Sequence, residues 1–148
     1  MEQYINFLSA EWPLTLAFVV IAVLLVRSFI DPMVSAAKDI KAQDAVRIMN
    51  KENTLVLDVR LEKEYKEGHI LDAIHIPVGA LESRIKEIAD HKTDNIIIYC
   101  QTGMRSKQAG KVLKKHGFES MFNIEGGINA WINANLPINK SSKRKQKK

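Results

Sequence analysis

One segment constrains this chain more than any other. NIIIY at 95–99 runs straight into CQTGMRS at 100–106, which in turn opens the helical pattern RSKQAGKVLKKHG at 105–117. A short, β-branched apolar run without alternation predicts a strand buried on both faces, and such strands belong to parallel sheets covered by helices. The surrounding pattern agrees. TLVLDV (54–59), AIHIP (73–77) and SMFNI (120–124) predict further strands, and AQDAVRIMNKEN (42–53), LEKEYKEG (61–68), ALESRIKEI (80–88) and INAWINAN (128–135) predict helices. Strands alternating with helices imply an α/β sandwich with a mainly parallel central sheet and helices on both faces, over residues 40–137. Ligands of such sheets bind beyond the carboxyl ends of the strands, which is where Cys100 falls.

Cys100 is the single cysteine of the 148 residues, which excludes an internal disulfide and any cysteine-rich zinc module. His69, His75, His91 and His116 have no paired metal-ligand spacing. An isolated cysteine ending a buried strand is ordinarily a small apolar filler. Here it is followed at once by a polar loop containing Gly103, then Arg105 and a helix start. Peptide N–H groups wrapped around the sulfur, reinforced by the positive end of the helix, form a nest that favours an anion and therefore a thiolate. Gly103 permits the turn, and Arg105 adds a cationic fork at the rim.

Asp58-Val59-Arg60, Glu64-Tyr65, Gly68-His69-Ile70, Ala73, Ile76-Pro77, the loop from Cys100 to Ser106, and Gly126-Gly127 with Trp131 follow one another in order. This series resembles a single-domain rhodanese. The resemblance implies sulfur transfer through a persulfide on Cys100, with ping-pong kinetics and neither a metal nor an organic cofactor. It implies that Gln101, Thr102, Gly103, Met104, Arg105 and Ser106 bind a small sulfur-containing anion such as thiosulfate, which passes its sulfane sulfur to cyanide or to a thiol acceptor, protein thiols included. Asp58, Arg60 and His69 are then supporting residues, with Glu64 within reach of Arg60 across one helical turn. A cysteine-dependent phosphatase fits less well, because the loop reads Cys-x4-Arg where those enzymes use Cys-x5-Arg. The alternative of another class is a recruitment module that keeps the fold with little catalysis.

Residues 12–30, WPLTLAFVVIAVLLVRSFI, carry Arg27 as their only charge and would cover about 28 Å as a helix, near the hydrocarbon thickness of a bilayer. They predict one transmembrane helix after a short tail (1–11), with a linker at 31–39. A cleaved signal peptide would need a positive start, whereas Glu2 and Glu11 precede the run. Arg27, Lys38, Lys41 and Arg47 follow it, which predicts a single-pass protein with its domain in the cytoplasm. With the resemblance, which extends to the membrane-anchored type of rhodanese, the expected location is a bacterial inner membrane. The net charge of +5 resides in the tail: residues 140–148 carry +6, residues 1–31 carry −2, and the middle is nearly neutral at +1. No basic face for nucleic acid is expected. Residues 138–148 read as a disordered basic tail, able to lie against an anionic leaflet.

Overall fold

The computed structural model describes residues 12–33, 36–51 and 53–140, with side chains outside 26–33. The chain divides into two units, Met1–Ser35 and Ala36–Lys148. The first contains helix α1, Trp12–Met33, of 22 residues. Its side chains from Leu16 to Leu25 are mostly exposed, Phe18 and Leu24 among them. Among the described residues, no helix is long and apolar enough to cross a membrane. The helix, expected over 12–30, runs on to Met33 and includes Pro32, because a proline in the last turn forfeits only one backbone hydrogen bond.

The second unit runs β1 (Lys38–Ile40), α2 (Ala42–Met49), β2 (Thr54–Asp58), α3 (Glu62–Glu67), β3 (Ile74–His75), α4 (Leu81–Arg84), β4 (Asn95–Tyr99), α5 (Met104–Lys115), β5 (Ser120–Ile124) and α6 (Gly127–Asn133). The five strands form one sheet in the order β1-β5-β4-β2-β3, with every pair parallel. Strand periodicity sends Leu55, Leu57, Ile96 and Ile98 to one face, where Leu81, Ile88 and Leu113 meet them. Val56, Ile97 and Tyr99 take the other face, against Ala45, Ile70, Ile128 and Trp131. The fully buried Ile96, Ile97 and Ile98 explain the unbroken apolar run of β4: burying each stabilises the fold by about 1.5–3 kcal/mol.

The pairing of β2 with β4 sets Asp58 opposite Tyr99, and the Val59 N–H donates to the Tyr99 carbonyl at 3.1 Å. The ends of β2 and β4 therefore open side by side, with Arg60 following one and Cys100 the other.

Three expectations change. The stretch 31–39, expected as a linker, contains β1 apart from its last residue. KDI is too short and too exposed to show a strand pattern, and only pairing with β5 makes it one. The helix expected over 80–88 is broken into a single α turn between 3-10 segments at Val78–Ala80 and Ile85–His91. The basic tail was expected from 138, yet His69 and Asn139 exchange backbone hydrogen bonds at 2.9 and 2.8 Å. That pairing is invisible to composition. The run SSKRKQKK at 141–148 lies outside the described residues.

Candidate active site

Cys100 is fully buried at the carboxyl end of β4. Its Sγ accepts a hydrogen bond from the Gly103 N–H at 3.1 Å and lies 3.6 Å from the Ser106 Oγ. Gly103 sits at φ 99°, in the left-handed region that glycine tolerates, and thereby turns the loop back over the sulfur. Burial pushes the thiol up. The Ser106 hydroxyl and the N–H groups of Ser106, Thr102 and Gly103 favour the charged sulfur and outweigh burial, leaving the pKa below the ordinary thiol value. The rate of iodoacetamide alkylation follows the thiolate fraction, so its midpoint is expected below the ordinary thiol pKa of about 8.5. A midpoint at or above that value would refute the nest.

The loop is braced from behind. The Ile128 N–H, in the first turn of α6, donates to the Cys100 carbonyl at 2.9 Å. Gly127, at φ 59°, comes so near that a Cβ would stand 2.3 Å from the same carbonyl oxygen. This close approach explains why the sequence closes with Gly126-Gly127.

Ser106 is buried, and its hydroxyl lies within hydrogen-bond reach of the Gly103 carbonyl at 2.9 Å and of the Asn123 Oδ1. Asn123 in turn donates from Nδ2 to Asp39 at 2.7 Å, and the second Asp39 oxygen meets the Lys107 Nζ at 2.7 Å. A chain of polar contacts thus leads from the sulfur to β1. Sequence reasoning missed Asn123 and Asp39. A signal existed for Asn123, which shares the inward-facing period of Met121 in SMFNI, where a polar residue requires a partner.

Arg105 departs from expectation. Its fork does not stand free at the rim: Nη1 and Nη2 donate to the two Glu64 carboxylate oxygens, both at 2.7 Å. Hydrogen bonding to Arg105, aided by the Leu61 N–H, holds the Glu64 carboxyl at about 2 against the upward push from burial. The expected Arg60–Glu64 pair is correspondingly not formed. Arg60 is buried, with Nε 3.0 Å from the Asp58 Oδ1 and Nη2 2.7 Å from Oδ2. The same Nη2 also donates to the Gly68 carbonyl at 2.6 Å, and the guanidinium carbon lies 5.6 Å from the Tyr99 ring centroid. Asp58 and Arg60 thus tie the end of β2 to the turn after α3.

His69 is a structural residue. Its Nδ1 lies 3.1 Å from the Tyr65 carbonyl oxygen, and its ring stacks on Tyr65 at 3.9 Å, with His75 on the other side of that tyrosine at 4.5 Å. Gln101 donates from its Nε2 to the Asn129 Oδ1 at 2.7 Å. Met104 is 73% exposed beside the loop. Of the six residues expected to surround the substrate, Thr102, Gly103 and Ser106 aim N–H groups at the sulfur, Arg105 stands at the rim, and Gln101 and Met104 border it.

The sequence pattern of the rhodanese-like domain matches residues 41–134. The chain belongs to the rhodanese-like family. It is 27% identical to the uncharacterized protein YibN of Escherichia coli K12 over 93% of this chain and 97% of that one. A sulfurtransferase of Allochromatium vinosum is 37% identical over 62% of this chain and 84% of its own length. Among solved structures, a rhodanese-related protein from Thermoplasma volcanium superposes with a TM-score of 0.61 at 29% identity, covering 69% of this chain and 97% of that one. The rhodanese fold accounts for the order of the motifs along this chain: the Asp58-Val59-Arg60 strand end, the Gly68-His69-Ile70 turn and the Cys100 loop all gather at one end of the sheet.

Proposed function

We propose that this rhodanese-like protein is a membrane-anchored sulfurtransferase that carries sulfane sulfur as a persulfide on Cys100. The observation that carries the reading is the Cys100 sulfur held against the Gly103 N–H at 3.1 Å, with its pKa lowered by the surrounding donors. The thiolate attacks the outer sulfur of a donor. With thiosulfate, the S–S bond of the donor breaks, its electron pair leaves with sulfite, and Cys100–S–S⁻ remains. With a persulfide RS–S⁻, the leaving group is RS⁻. In the second half-reaction cyanide or a thiolate attacks the outer sulfur, giving thiocyanate or a new persulfide and returning the Cys100 thiolate. The N–H donors that favour the thiolate also suit the persulfide anion, because both place negative charge on sulfur in the loop.

Anchoring is the second half of the proposal. The sequence run at 12–30, whose only charge is Arg27 and which as a helix would cover about 28 Å, supports it. The single pass would place the domain in the cytoplasm of a bacterium, by the cations that follow the span.

Mass spectrometry tests the chemistry. After exposure to thiosulfate or a small persulfide, the tryptic peptide containing Cys100 is expected to gain one sulfur atom, lost again on adding cyanide. A peptide that gains none from either donor refutes the reading.

A further inference from the structure

Resting on the sulfur-transfer reading, we infer that the Glu64–Arg105 pair selects the donor: it cancels the positive charge at the mouth and favours monoanionic persulfides over dianionic thiosulfate. Among the described residues, three cations near the catalytic end of the sheet are each matched by a carboxylate. Arg60 is bound by Asp58 at 2.7 Å, Lys107 by Asp39 at 2.7 Å, and Arg105 by both oxygens of Glu64 at 2.7 Å. Glu125, bordering the same loop as Asp39 and Lys107, adds a further negative charge. Of the three cations, Arg105 belongs to the Cys100 loop itself, yet both of its terminal nitrogens are engaged by Glu64. What remains for an incoming anion is the ring of peptide N–H groups, which suits one negative charge on sulfur. A sulfonate carrying a second charge finds no cation free of a carboxylate among these three.

Glu64 also holds the start of α3, since its Oε2 accepts the Leu61 N–H at 2.9 Å. Glutamine can accept the same hydrogen bond, so Glu64→Gln removes the charge while keeping the cap.

The test uses two ratios measured on the full chain. The first compares alkylation of Cys100 by anionic iodoacetate with alkylation by neutral iodoacetamide. Any change in thiolate fraction affects both reagents alike and cancels. The second compares sulfur loading from thiosulfate with loading from the persulfide of 2-mercaptoethanol. Because the reagents of each ratio differ by one unit of charge, removing one negative charge near the mouth is expected to raise both ratios by a similar factor, about three- to tenfold, with both effects shrinking as salt rises. Arg105→Gln, which leaves Glu64 unmatched, moves both ratios the other way. Ratios unchanged in Glu64→Gln, or moved in the same direction by the two variants, overturn the inference. If neither donor loads the wild-type protein, the sulfur-transfer reading fails, and the alkylation ratio alone decides whether the pair controls the charge of the mouth.

Discussion

Cys100→Ser is expected to lose sulfur transfer by at least about 1,000-fold, measured as thiocyanate formed from a sulfane donor and cyanide. A serine hydroxyl is nearly isosteric with the thiol, so the variant should fill the same buried position beside Ser106 without opening a cavity. What it loses is the anion. The N–H groups of Thr102, Gly103 and Ser106 lower the pKa of a group that already ionises near neutrality, whereas an alcohol remains protonated in the same nest. Oxygen also forms no stable counterpart of the persulfide. Thermal unfolding of the variant close to that of the wild type would show that chemistry, not folding, was removed. Activity within tenfold of wild type would remove Cys100 from the mechanism.

The largest expected effect on stability lies one strand away. Asp58 and Arg60 are both buried, joined by three side-chain hydrogen bonds and by the Arg60 N–H donating to Asp58 at 2.9 Å. Asp58→Ala leaves a guanidinium inside the protein with the Gly68 carbonyl and the Tyr99 ring as its remaining contacts. Stranding a buried charge in this way costs about 3–5 kcal/mol, which urea unfolding would register as a lower midpoint. Because Arg60 also holds the turn after α3, the start of that helix and the Glu64–Arg105 contact should loosen as well. A double replacement of Asp58 and Arg60 by apolar residues is expected to recover much of the loss, since it removes both buried charges together. A single variant as stable as the wild type would contradict the buried pair.

How much was legible in advance differs from residue to residue. NIIIY had to be a central strand, because five consecutive residues without a polar face need cover on both sides, and β4 receives it. The helical pattern that ends at Gly117 is also borne out: α5 stops at Lys115, His116 caps it, and Gly117 follows at φ 84°, the left-handed conformation that glycine permits. Trp131, the last residue of the motif series, is buried, with its Nε1 donating to the Pro137 carbonyl at 2.9 Å. β1 was not legible: two of its three residues are exposed, and its strand character comes from β5 alone. The pairing of Asn139 with His69 likewise spans seventy residues and leaves no local pattern.

The sequence by itself determined where the reactive sulfur stands and what surrounds it. A buried strand ending in cysteine, a glycine able to turn left-handed, and a helix beginning at once are all local facts, and local backbone geometry suffices to wrap N–H groups around Sγ. Only the tertiary structure decided which carboxylate meets which cation. Asp58, Glu64 and Asp39 could each have neutralised several basic residues, and choosing among them depends on strand order, helix placement and burial, which act between segments far apart in the chain. The charge at the mouth of the site, and with it the choice of sulfur donor, therefore belongs to the fold.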